Sequence, residues 1–208
     1  MKVSDIKRYT ERYVTRSIEA IERDTDNSRA LLAGLRRGAG RVPGEFPGLW
    51  GDIFKDAALE NPEAFAYGSP SAFEWAVYTA MTLYAINAQG TNGRKNMCGV
   101  GIGTALAELA SVNAKGGSSV EDEKAKIWKR FCTVMSCFDM RSMSERLRQI
   151  VRLMHGTGLG MDYGKLAGQL YIWQLDGGPQ QIKLLWARDF WCTDHRQEAD
   201  VQQEDSAS

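Results

Sequence analysis

Helix-capping signals and an apolar period of 3.6 residues recur along almost the whole chain. No stretch alternates apolar and polar residues over six positions with the β-branched enrichment of a half-buried strand. Met143, Leu147, Ile150, Val151 and Met154 fall at i, i+4, i+7, i+8 and i+11, one stripe of a helix. Leu166, Leu170 and Trp173 repeat the pattern further on. The expected fold class is all-α: a compact bundle of about eight or nine helices.

Local chemistry sets the expected boundaries. Ser4 or Asp5 caps a first helix reaching about Glu22, and Asp26, Asn27 or Ser28 caps a second that ends at Gly38-Ala-Gly40. A loop over 41–48 leads to a short helix at about 49–59. Either Ser69-Pro70 or the capping box Ser71-x-x-Glu74 opens a longer one through about Ala88. Further helices are expected over about 102–111, 120–138, from the box Ser142-x-x-Glu145 to Met154, from an Asp162 cap to about Leu175, and over 181–191. The break Lys115-Gly-Gly-Ser-Ser119 divides the chain into an N-terminal half, 1–112, and a C-terminal half, 113–192. Residues 193–208 read as an acidic, disordered tail.

The 208 residues are 43% hydrophobic and 25% charged, enough to bury a core without staples. No apolar run approaches a membrane span, and the N-terminus has no apolar signal core, so a cytoplasmic location is expected. Cys98, Cys132, Cys137 and Cys192 form no C-x-x-C pair and read as reduced, buried thiols. Formal net charge is zero, but the balance is uneven. Asp189–Ser208 holds six acids and one arginine, a net −5, so residues 1–188 carry +5.

Enzyme constellations fail residue by residue. Gly99-Val-Gly-Ile-Gly-Thr104 has threonine where a dinucleotide fingerprint needs glycine, and no strand before it. It reads as a close-packed helix start. Gly158 to Lys165 is one residue too long for a phosphate loop, and Leu166 stands where a hydroxyl must reach magnesium. Cys192-x-x-His195 lacks paired zinc-ligand spacing, and His155 has no nucleophile elbow to serve. No cofactor and no metal are expected. Most aromatics, including Trp75, Tyr78, Trp128, Phe131, Trp186 and Trp191, sit in helical patterns as core; Phe46 and Trp50 lie beside a basic loop.

The arginines carry more. Arg29 and Arg36 are seven apart on one helix stripe, Arg37 is adjacent, Arg41 follows, and no acid occurs between Ser28 and Gly44. Arg141, Arg148 and Arg152 fall within about 40° of one helix arc, roughly 120° from the centre of the apolar face. Arg94 and Lys95 add charge to the loop before Gly99, and Lys124, Lys126, Lys129 and Arg130 to the helix expected over 120–138. Three such clusters suit a surface that tracks phosphates without reading bases.

Several segments resemble one family. They are Leu31-Leu-Ala-Gly-Leu-Arg36-Arg37-Gly-Ala-Gly with Pro43, Phe46-Pro and Leu49-Trp50; Gly99-Val-Gly-Ile-Gly-Thr-Ala-Leu-Ala107 after a basic loop; and Arg146-Leu-Arg148-Gln-Ile-Val-Arg152-Leu, then Met161-Asp-Tyr163, Trp173 and Trp186-Ala-Arg-Asp-Phe190-Trp. Their order and spacing over about 28–192 resemble the CasB family, the small subunit of the type I-E CRISPR interference complex Cascade. The acidic tail has no counterpart in the resemblance. The resemblance implies an all-α, non-catalytic subunit in two head-to-tail copies, beside the backbone and large subunits. It implies contacts to the crRNA–target path and to the displaced non-target DNA strand, stabilising the R-loop. Onto this chain it carries Arg36 and Arg37, Lys95 or Arg94, Lys129 and Arg130, and a choice among Arg146, Arg148 and Arg152. Two other readings suit the same residues: a helical adaptor for an acidic protein, and an RNA-binding module outside CRISPR.

Overall fold

The computed structural model describes residues 2–24, 26–66, 68–90, 93–114 and 117–192. The tail, with His195, lies outside the described residues. Among those described are nine α-helices: α1 (Val3–Arg23), α2 (Arg29–Gly38), α3 (Pro47–Glu60), α4 (Ala72–Asn87), α5 (Ile102–Ala114), α6 (Val120–Met135), α7 (Met140–Met154), α8 (Tyr163–Trp173) and α9 (Gly178–Trp191). One 3₁₀ turn, Pro62–Ala64, follows α3. The sole β feature among them is an isolated parallel bridge between Asn96 and Met161. None of these helices is long and apolar enough to cross a membrane.

The helix α4 is apolar all round, and Phe73–Asn87 is buried except for half-buried Trp75. A helix without a polar face must be wrapped. α1, α2, α7 and α8 do so. α5 packs on α6 and α9, and α9 on α8. Two aromatic clusters mark the ends of this core. Trp50, Phe54, Phe65, Phe73, Tyr9 and Tyr13 form one. Trp128, Phe131, Trp186, Phe190 and Trp191 form the other, where Trp186 Nε1 donates to Gln169 Oε1 at 2.8 Å.

Several boundaries correct the sequence reading. The box at Ser71 forms, with Ser71 Oγ accepting from Glu74 N–H and Glu74 from Ser71 N–H. The box at Ser142 does not. Asp139 caps α7, accepting from both Ser142 N–H and Ser142 Oγ, so α7 starts earlier and α6 ends at Met135 rather than Phe138. Glu145 turns instead toward Arg141, 3.7 Å away. Ser4 and Asp5 lie inside the first turn of α1, which lacks a side-chain cap. Pro179 lies in the first turn of α9, which begins at Gly178, before the expected 181. Of the four thiols only Cys137 is buried; Cys98 and Cys192 are exposed.

The glycine-rich start of α5 is a packing device. A Cβ on Gly103 would lie 2.6 Å from Trp186 O and 2.7 Å from Phe190 N, so α5 and α9 touch backbone to backbone. The residues around it face carboxylates, not phosphates. Gly99 N–H donates to Asp162 Oδ2, while Lys165 Nζ donates to Gly99 O and lies 3.9 Å from Asp189.

Candidate nucleic-acid interface

Helix α2 ends in a fixed position. Tyr78 Oη donates to Gly38 O at 3.0 Å, and Gly38 leaves no room for a side chain beneath Tyr78 and Leu49. Burial pushes the Tyr78 hydroxyl up to about 12, so it stays a donor. Arg41 N–H then closes back on Gly38 O at 2.9 Å. Gly40, at φ +80°, lies against α7: a Cβ there would sit 3.5 Å from Arg148 Cδ and Nη1 and 3.6 Å from Glu145 Cγ.

This seam gathers arginines from two distant segments. Arg148 is half-buried, and its Nε is buried with no hydrogen-bond partner among the described residues. Burial lowers its pKa; so do the neighbouring charges of Arg152 and Arg41, with Glu145 opposing. Glu145 also lies beside Arg141, and Arg41 Nη1 pairs with Glu45 at 3.0 Å. Four cations thus share two carboxylates. Arg152 and Arg41 are exposed. A site with an orphaned donor and surplus like charge favours an anion, and an arginine fork suits a phosphate.

The remaining candidates sort by place. Arg36, half-buried, and Arg37, exposed, occupy the last turn of α2. Arg29 begins that helix, about 10 Å of rise from Arg36, and pairs with Asp26 at 2.7 Å. Arg146 is two residues from Arg148, about 200° around the helix, so it leaves α7 on another side. There it shares an open depression of about 240 Å³ with Arg130, Thr133 and Gln149. Lys129 and Arg130 are exposed on α6. The guanidinium of Arg94 is exposed, 3.7 Å from Glu22.

Lys95 is a correction. It is only 3% exposed and does not belong to the surface. The loop that carries it is held on both sides. Glu22 Oε1 accepts from Tyr84 Oη and from the N–H groups of Lys95 and Asn96, while Lys95 O accepts from Met161 N–H. Trp191, expected in the core, is 51% exposed at the end of α9. Phe46 is exposed, and Trp50 is half-buried with Nε1 bonded to Glu74. Among the described residues no group of three or more His, Cys, Asp or Glu side chains could hold a metal ion.

Sequence spacing places Arg141, Arg148 and Arg152 on one stripe. The same spacing sets Arg146 about 200° from Arg148, but it carries no sign that Arg41 joins the stripe. The one available hint is Gly38-Ala-Gly40, which forces a close return of the chain.

The fold and this surface define an all-helical protein with clustered arginines on its helical faces. The family model for CRISPR-associated protein Cse2 matches residues 31–191. The chain belongs to that family, Cse2 or CasB, the family of the type I-E Cascade small subunit. CasB from Thermobifida fusca is similar in structure, with TM-score 0.67 and 29% identity, over 89% of this chain and 97% of that one. CasB from M. ruber has the same fold, with TM-score 0.57 and 21% identity, over 82% of this chain and 88% of that one. No curated protein matches the chain in sequence.

Proposed function

We propose that the chain is a non-catalytic subunit of type I-E Cascade that stabilises the R-loop through sequence-independent phosphate contacts. Its main ligand is the displaced non-target DNA strand, with further contacts to the crRNA–target path. Two copies, set head to tail beside the backbone and large subunits, extend the surface. The observation that carries this reading is the Arg41–Arg148–Arg152 seam, where Arg148 Nε has no partner and its neighbours repel it. Arg36 and Arg37 in the last turn of α2, Arg130 and Arg146 in their shared depression, and exposed Lys129 supply the further contacts.

Phosphates carry no base identity, so binding is collective and unspecific. Removing one phosphate-binding cation lowers the salt slope by about 0.7 on single-stranded DNA. The zero formal charge of the chain disfavours strong stand-alone affinity and suits a subunit completed by its neighbours. The test is full-target DNA retention, over a salt series, by Cascade reconstituted with wild-type, Arg148→Glu/Arg152→Glu or Arg36→Glu/Arg37→Glu subunit. Both variants are expected to retain less DNA with a shallower slope, while guide-RNA loading and base preference persist. Equal retention and equal slopes overturn the reading and favour the protein-adaptor function.

A further inference from the structure

Asp189 belongs with the C-terminal acids in sequence, yet it is 7% exposed on α9 beside Lys165. The other acids of the C-terminal run follow Cys192, outside the described residues. Residues 193–208 contain Asp194, Glu198, Asp200, Glu204 and Asp205 against one Arg196, a net −4. The family match spans 31–191, and this segment lies outside it.

Its starting point is defined. Trp191 packs against Trp128 of α6 with ring centroids 5.4 Å apart, and Phe190 against the same ring at 5.1 Å. Lys129 and Arg130 lie about 100° and 200° around α6 from Trp128, both exposed, and neither forms an ion pair with a described residue. The first acid of the segment is three residues beyond Trp191. Sixteen residues can extend about 50 Å, more than the length of α6. Tethering places the acids at a millimolar effective concentration, roughly, around those cations.

We propose that residues 193–208 dock on the Lys129–Arg130 face of α6 and compete there with nucleic acid. The docking stands on charge and place alone; the competition rests on the function proposed above. The carboxylates mimic phosphates weakly. A single strand presents one charge about every 3.4 Å and displaces the segment when the assembled complex supplies it at high local concentration. Chance nucleic acid in solution meets an occupied surface.

Two measurements separate the halves of the proposal. In the first, a labelled peptide of residues 193–208 is titrated into the chain truncated after Cys192 and followed by fluorescence anisotropy. Saturable binding is expected at low salt. It should vanish in the Lys129→Glu/Arg130→Glu variant and at 1 M salt, where screening acts within about 3 Å. In the second, single-stranded DNA binding is compared between the full chain and the truncated chain. A further full chain carries all five tail acids as amides. Truncation and amidation should each tighten binding about three- to tenfold at low salt, with unchanged helical content. The gain should disappear in the Lys129→Glu/Arg130→Glu background. Absent peptide binding, or peptide binding indifferent to that reversal, overturns the docking. A gain that persists in the reversed background also overturns it, because diffuse charge would then suffice. Peptide binding as expected, with DNA held no more tightly by the truncated and amidated chains than by the full chain, upholds the docking and overturns the competition; the strand-holding function stands or falls separately, on DNA retention by reconstituted Cascade.

Discussion

Two seams of this molecule are built on opposite rules. Where α5 meets α9, Gly103 lets backbones touch, Trp186 and Phe190 fill the space beside it, and the buried Asp189 carboxylate lies 3.9 Å from Lys165. Where the end of α2 meets α7, Gly40 also permits a close approach, but what it admits is Arg148, short of a partner and surrounded by like charge. The first seam lowers the free energy of the fold. The second holds an unpaired buried donor among like charges, a local cost of the kind that functional sites retain. Close packing in a helical protein is therefore no guide to purpose; what the glycine makes room for is.

The contrast breaks first at the apolar seam. Trp186→Ala removes a fully buried indole and its bond to Gln169, and is expected to destabilise the chain by about 3–5 kcal/mol in chemical denaturation. Gly103→Ala forces a methyl against Trp186 O and Phe190 N, neither of which can rotate away, and should destabilise by about 1–3 kcal/mol. A wild-type denaturation midpoint for Gly103→Ala would show that α5 and α9 separate freely, and the seam would lose its meaning.

Smaller effects sharpen the contrast at helix ends. Ser71→Ala removes the acceptor for Glu74 N–H and should cost about 1 kcal/mol. Asp139 contributes in a pH-dependent way. Ser142 N–H, then the Ser142 hydroxyl, holds its carboxyl below the usual range, so the folded form binds its proton less readily than the unfolded one. That stabilisation is present above the unfolded carboxylate pKa and is lost as pH falls through the lower folded value. Asp139→Asn should flatten this acid limb of a thermal-stability profile; an unchanged profile would assign the limb to other carboxylates.

The fold is legible in the sequence where a local rule decides the matter. Ser71 and Glu74 meet because a three-residue spacing at a helix start brings them together regardless of the rest of the fold. Ser142 and Glu145 have the same spacing, yet Asp139 sits one turn earlier and takes Ser142 for itself, while Arg141 draws Glu145 away. A motif read alone cannot see a competing acceptor. The site is legible in the same measure. Helical geometry places Arg148 and Arg152 together, because both belong to α7. The arrival of Arg41 depends on a turn pinned by Tyr78, forty residues from Gly38. Lys95 misleads because a polar loop normally faces water. Here Glu22 and the segment around Met161 clamp it from opposite sides, contacts more than sixty residues away in the chain.

The most direct test compares stability and strand retention in a single variant. Arg148→Met keeps the bulk of the side chain and removes both the orphaned Nε and the repulsion from Arg41 and Arg152. The account predicts a Tm equal to or above wild type, together with weaker R-loop retention in reconstituted Cascade and a salt slope smaller by about 0.7. A Tm several degrees lower with retention unchanged would contradict it, and would make Arg148 part of the scaffold instead of the surface that holds DNA.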